Sequence, residues 1–336
     1  MRGITTGFSQ LWLSLLYCFT LMTFYFLFVR MEEKIVILND IYYNTSSPRG
    51  EIVGGKNRVE VAGIRQTVSL CTFAKDEEIY IDEWTDYYLS MGFSEIIIYD
   101  NSKTNELAFW KSFRRNNDPQ IHVVHWPFDG LHREALLDCA IQSREKNHTW
   151  CAILDGDEFL VLKKHKDITS LLEQHLHSGA LSINWYFYGD NNHSVYTVLP
   201  VTKRFSMRQT HINHHVKSIV KLSDMDMNHE KLINSHYPYL VNCSQHDTNN
   251  KTFLGPYNQG GPSDIAVVNH YKTKSKKEFH YKGCIRGISD VVNKSSKENF
   301  GKCGEQHLTQ GCNIFDDTAW TYLRDRVTKY QMFDHF

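Results

Sequence analysis

Trp150-Cys151-Ala152-Ile153-Leu154-Asp155-Gly156-Asp157-Glu158-Phe159-Leu160 is the stretch whose reading decides the fold. Its first half is a short apolar run of the kind that forms a buried strand. The run ends directly in two carboxylates separated by one glycine. Two acidic side chains at a strand end can approach one hard divalent cation, and glycine permits the tight turn that presents both. Such a cation neutralises a diphosphate and stabilises it as a leaving group. The plainer alternative is a turn with solvated aspartates. It fits poorly here, because Glu158-Phe159-Leu160 returns at once to apolar chain.

Upstream, the same kind of unit repeats. Thr67–Phe73 and Glu95–Tyr99 read as strands, Ile121–Trp126 as a third, and Trp150–Leu154 as the fourth. Between them, Glu78–Met91, Leu107–Arg115 and Arg133–Lys146 carry helical spacing, the first closed by Gly92. Downstream, Asp167–His177 reads as a capped helix closed by Gly179, and Ala180–Tyr188 as another strand. Strands alternating with helices predict an α/β fold with a mostly parallel central sheet flanked by helices. In such sheets ligands bind beyond the carboxyl ends of the strands. That rule gathers Lys75-Asp76-Glu77, Asp100-Asn101-Ser102, Pro127-Phe128-Asp129 and Asp155-Gly156-Asp157-Glu158 at one edge.

The N-terminus is of another kind. Leu11–Val29 is almost wholly apolar and, at about 1.5 Å per residue, is long enough for the roughly 30 Å hydrocarbon core of a bilayer. A cleavable signal peptide is the competing reading, but no small-residue cleavage pattern precedes Arg30-Met31-Glu32-Glu33. The expected organisation is a short cytoplasmic tail (1–8), a transmembrane signal-anchor (9–29), a polar stem (30–66) and a lumenal domain (67–336). Basic residues flank the span almost evenly, so orientation rests on other features. Six Asn-x-Ser/Thr sequons, at Asn44, Asn147, Asn192, Asn242, Asn250 and Asn293, require a secretory compartment if they are used. Of eight cysteines, Cys284, Cys303 and Cys312 lie in a turn-rich tail where a disulfide suits an oxidising lumen. Cys71, Cys139 and Cys151 sit in apolar contexts and are expected to be packed thiols. With a net charge of −1, the chain offers no basic face for nucleic acid.

Other residues join the acidic pair as candidates. Lys75, Glu77 and Asp100 suit nucleotide recognition, since carboxylates accept hydrogen bonds from ribose hydroxyls or base N–H groups. Ordinary helix-start chemistry is the alternative for the acids. His270 ends the apolar run Ala266-Val267-Val268-Asn269, and Lys274 follows in a lysine cluster that fits diphosphate oxygens or, equally, a solvated helix start. A general base for an acceptor hydroxyl is sought first in Asp190 and next in His236, with Glu158 a further candidate placed to support a metal from behind. Asp190 also suits a turn cap beside Gly189.

These segments together carry a resemblance. Thr72-Phe73-Ala74-Lys75-Asp76-Glu77, then Glu83-Trp84 with Tyr87-Tyr88 and Gly92, Ile98-Tyr99-Asp100-Asn101-Ser102, Trp150 through Phe159, Val216–Val220, and Asn269-His270-Tyr271 with Lys274-Ser275, Lys282 and Arg286-Gly287 resemble, in order over residues 68 to 288, glycosyltransferase family 92 and its family-2-like relatives. The resemblance implies a GT-A type nucleotide-sugar-binding fold and a UDP-sugar donor. It implies Mn2+ or another divalent cation at Asp155 and Asp157 with His270 as third ligand, inversion at the anomeric carbon, and galactose as the best-known hexose. The sequence departs from the pattern at Asp76, where relatives often carry Asn. The expected protein is a single-pass type II enzyme of the Golgi or endoplasmic reticulum membrane, moving a hexose to a glycan or glycoprotein acceptor. The alternative is a non-catalytic, membrane-tethered glycan-binding protein on the same scaffold.

Overall fold

The computed structural model describes residues 66–102, 118–230, 232, 234–286 and 311–335. All of them belong to one compact unit, Ile64–Phe336. The apolar run Leu11–Val29, the stem through residue 65, the helix expected at Leu107–Arg115, Cys303 and the sequons at Asn44 and Asn293 lie outside the described residues. Among the described residues, no helix is long and apolar enough to cross a membrane.

The strands are β1 (Val68–Ala74), β2 (Glu95–Asp100), β3 (Ile121–His125), β4 (Trp150–Ile153), β5 (Glu158–Leu162), β6 (Ala180–Phe187), β7 (Met207–Gln209), β8 (Asn213–Lys221), β9 (Gln245–His246), β10 (Thr252–Phe253), β11 (Ala266–His270) and β12 (Cys312–Phe315). The helices are α1 (Glu78–Ser90), α2 (His132–Glu145), α3 (Ile168–Leu172), α4 (Val201–Arg204), α5 (Lys276–His280) and α6 (Thr318–Arg326). Ten strands form one sheet, ordered β10-β9-β6-β8-β4-β1-β2-β3, with β11 bridging β6 and β5. The block β4-β1-β2-β3 is parallel, as the alternating pattern predicts. β8 enters antiparallel between β4 and β6, and β5 pairs antiparallel with β11, so the sheet is mixed but mostly parallel.

Strands β1, β2 and β4 are covered on both faces, which is why their sequences are nearly continuous apolar runs. Leu70, Ile96, Ile98, Trp150 and Ala152 enter one core with Trp84, Tyr87 and Tyr88 of α1. Cys71, Ile97, Tyr99, Cys151 and Ile153 enter the opposite core with Ala135, Leu136 and Ala140 of α2. β3 is the exposed edge, and its two histidines, His122 and His125, fit that position. Helix α1 ends as expected, with Gly92 at φ +95, a conformation that glycine adopts without a steric penalty. The segment after Asp167 is shorter as α-helix than the sequence suggests and tightens into a turn of 3-10 helix at Glu173–His175, though Asp167 and Ser170 form the capping box.

The cysteines require a correction. Cys71 and Cys139 form a disulfide between β1 and α2, whereas sequence context predicts packed thiols. Apolar context reports burial, but only the packing of α2 on the sheet places the two Cα atoms 6.1 Å apart, within bridging range. Cys151 remains a buried thiol beside them, Cys284 is disulfide-bonded, and Cys312 is a free thiol.

Candidate active site

Chain order runs β1, β2, β3 in one direction and then returns to place β4 on the other side of β1. The carboxyl ends of β1 and β4 are therefore the switch point of the sheet, where open α/β folds leave a crevice. Lys75-Asp76-Glu77 leaves β1 there, and Asp155-Gly156-Asp157 leaves β4. A cavity of about 270 Å³ opens between them, and its walls include Glu77, Asp155, Asp157, His236, His270 and Lys282.

The turn is held from below by aromatic side chains of α1. The Trp84 indole N–H donates to the carbonyls of both Asp155 (3.1 Å) and Glu158 (3.0 Å). Tyr88 donates to the Glu158 carbonyl and accepts from the Leu160 N–H, each at 2.9 Å, while Tyr87 donates to the Leu160 carbonyl at 2.7 Å. Three residues at helical spacing thus satisfy the backbone of a turn that would otherwise be buried with unpaired polar groups. The sequence shows them only as an apolar helix face.

Gly156 works differently from its sequence reading. It has no positive φ, and nothing lies within 4 Å of where a Cβ would stand. Its missing side chain keeps the cavity open, not the turn tight. The backbone strain lies instead at Asp76, with φ +48. Asn and Asp are the side chains that best tolerate that left-handed region, so the aspartate at 76 suits its backbone.

The carboxylates meet cations supplied by distant parts of the chain. Lys217, buried on β8, donates to Asp155 Oδ2 at 2.9 Å and lies 3.4 Å from Glu158 Oε2. Burial works against charge on Asp155, yet the Lys217 ammonium holds its pKa below the usual carboxylate range. Asp157 is held lower still, its burial outweighed by Lys282, with which it is in direct contact, and by His270. Glu158 is fully buried and is pushed well up, burial being the largest cause. Its Oε2 accepts the Asp155 N–H at 2.8 Å and so stiffens the turn from inside.

β11 brings His270 to this edge by pairing antiparallel with β5, in a register that sets His270 opposite Glu158. Its Nε2 lies 3.3 Å from Asp157 Oδ1. Two aspartates and one imidazole are a donor set that suits a divalent cation. Among the described residues no three His, Cys, Asp or Glu side chains already stand close enough together to hold an ion, and Asp155 is bonded to Lys217. One further feature fits a metal. His270 Nδ1 and Glu158 Oε1 are both buried without hydrogen-bond partners, 3.9 Å apart. A carboxylate behind a histidine is the usual device for orienting an imidazole ligand.

A second charged layer surrounds Glu77. Lys274 donates to Glu77 Oε2 at 3.0 Å and lies over the Tyr80 ring, while Arg286 donates to Glu77 Oε1 at 2.6 Å and to the Lys75 carbonyl. Lys75 itself lies 3.5 Å from Asp129. Lys274 adopts φ +53, an unfavourable backbone for lysine that is retained here by the buried ion pair. A neighbouring cavity of about 420 Å³, lined by Tyr80, Tyr196, Lys274 and Lys277, adjoins the first along Glu77, Lys272, Lys282 and Arg286.

The structure therefore gathers Lys75, Glu77, Asp155, Asp157, Glu158, His270 and Lys274 in one region. It does not bring Asp100 and Asp190 to the cavity walls. Asp100 closes a turn, accepting from the N–H and hydroxyl of Ser102 at 3.0 and 2.6 Å. Asp190 is fully buried and accepts the Asn192 N–H at 2.9 Å, the turn-capping arrangement. Lys217, Lys282 and Arg286 were not singled out as site residues by pattern. For Lys217 a signal existed, a lone lysine inside the strand-like run Val216–Val220.

The α/β domain thus carries acidic side chains at its switch point, faced by the lysines Lys217 and Lys282. The family model for glycosyltransferase family 92 matches residues 65–310, and the chain belongs to that family. A family 92 protein of Arabidopsis thaliana is 23% identical over 302 residues, covering 80% of this chain and 49% of the relative. One from Ricinus communis is 23% identical over 273 residues, covering 77% and 46%. The chain thus spans about half the length of the curated relatives it matches. Among solved structures, HddC from Yersinia pseudotuberculosis aligns over 58% of this chain and 95% of its own at 10% identity, with a TM-score of 0.35.

Proposed function

We propose that this domain is a metal-dependent glycosyltransferase of GT-A type, moving a hexose from a UDP-sugar to a glycan acceptor with inversion. The observation that carries the reading is the convergence of Asp155, Asp157, His270 and Lys282 on one switch-point cavity, with Lys217 behind Asp155. Asp155, Asp157 and His270 are the residues that would hold Mn2+ or a related cation, with Glu158 orienting His270. When bound, the cation supplies charge neutralisation for a departing diphosphate. Lys75, Lys274, Lys282 and Arg286 bring positive charge to the same rim, where a diphosphate needs it.

The membrane-anchored, lumenal arrangement is part of the proposal. It is supported by the apolar run Leu11–Val29 and by the buried Cys71–Cys139 disulfide. The sequon asparagines Asn147, Asn192, Asn242 and Asn250 are all exposed, on turns with φ between +54 and +63.

The test is a donor screen on residues 31–336, measuring UDP or GDP release from a panel of nucleotide-sugars with Mn2+ or with EDTA. Release from one UDP-hexose that EDTA abolishes is expected. A chain that binds no UDP-sugar in Mn2+, and that Asp155→Asn leaves unaltered, rejects the transferase reading. Glycan binding without nucleotide binding would identify a non-catalytic member of the family.

A further inference from the structure

We infer that His236 is the general base that removes the proton from the acceptor hydroxyl. The inference rests on the transferase reading and names a group in the same cavity.

The tautomer comes first. His236 Nδ1 lies 2.8 Å from the Val216 carbonyl oxygen. A carbonyl only accepts, so the proton resides on Nδ1 and Nε2 presents its lone pair. His236 lines the cavity with Asp155, Asp157 and His270, and among the described residues nothing hydrogen-bonds to Nε2. The ring is fixed in place. The backbone N–H of His236 donates to Asn234 Oδ1 at 2.8 Å, and its carbonyl accepts from Ser218 at 2.6 Å. Trp185 flanks the ring at 5.2 Å and also packs on His270 at 4.6 Å, so one indole sets the spacing between the two imidazoles.

The other candidates are occupied or remote. Glu158 is fully buried and spends Oε2 on the Asp155 N–H. Asp190 caps its own turn and does not line the cavity. His236 alone of the three combines a free lone pair with access.

The charged and titratable groups facing the ring are Lys217 and His215 from β8 and Asp155 from the turn after β4. Burial, then Lys217, lowers its pKa to about 4, which keeps the ring neutral before substrate binds. In the transfer step the acceptor oxygen bonds to the anomeric carbon as its proton moves to Nε2. The bond from that carbon to the diphosphate oxygen breaks, and its electron pair leaves with the diphosphate. The imidazolium, steadied by the Val216 carbonyl, returns its proton to water after release.

The test uses His236→Asn, whose amide can still donate to Val216, and His236→Gln as a second shape. Each is measured for thermal stability, for UDP binding in Mn2+ by calorimetry, and for kcat against pH. Expected are UDP affinity within about threefold of wild type, kcat lower by about 100-fold or more, and loss of the acidic limb of the pH profile. A folded variant that keeps kcat within about threefold, or keeps the acidic limb, overturns the assignment and leaves the transferase reading intact. Wild-type chain that binds no nucleotide-sugar overturns both.

Discussion

Asp155 and Asp157 stand two residues apart on the same turn, yet the fold neutralises them with lysines of opposite character. Lys217 reaches Asp155 from inside the sheet, with 1% of its side chain exposed, on a strand fixed between β4 and β6. Lys282 reaches Asp157 from a single helical turn, Tyr281–Arg286, with 25% exposed. The first cation is part of the framework and has no other place to go. The second is carried on a segment tethered through Arg286 to Glu77. On the proposed function, the first pair serves folding and the second is the one a bound cation would displace.

The largest expected effect tests whether the turn matters for chemistry at all. Asp157→Asn should lower UDP release at least about 1,000-fold, about 4 kcal/mol, with melting temperature nearly unchanged. Next comes the lysine comparison itself. Lys217→Met should cost about 3 kcal/mol in urea unfolding, because its fully buried ammonium pairs both Asp155 and the buried Glu158. Lys282→Met should cost under about 1 kcal/mol, because the lysine is 25% exposed and His270 still faces Asp157, and should tighten Mn2+ binding about tenfold by calorimetry. Equal destabilisation by the two substitutions would dissolve the distinction.

A third outcome concerns pH. Burial alone would raise Glu278, but Arg204, Ser275 and Tyr80 hold it down to about 2. A carboxylate depressed on folding contributes stability above its unfolded pKa, near 4.5, and loses it as pH falls toward 2. Glu278→Gln should therefore flatten the stability curve between those values by no more than about 2 kcal/mol, after allowance for solvent screening. The smallest effect is at Asp76. Asp76→Asn should change stability by a few tenths of a kcal/mol, whereas Asp76→Val should cost about 1–2 kcal/mol at its left-handed φ.

Much of this site was legible in the chain because it depends on local pattern. The apolar run Trp150–Leu154 announces a strand covered on both faces, and residues just past the carboxyl end of a parallel strand lie at the binding edge. Glu77, Asp155 and Asp157 are found by that rule, and His270 by the apolar run before it. Asp100 and Asp190 satisfied the same rule and were drawn into turn capping, since a short acid beside a turn N–H has that alternative always at hand.

By itself the sequence determined the alternation of strands and helices, the acidic turn after β4 and the family to which the chain belongs. Tertiary structure decided which cation meets which carboxylate, that Cys71 bonds to Cys139, that Gly156 opens a cavity, and that His236 faces it. The physical reason is separation along the chain. Burial and periodicity are properties of neighbouring residues, whereas Lys217 and Asp155, 62 positions apart, meet only because β8 inserts antiparallel beside β4.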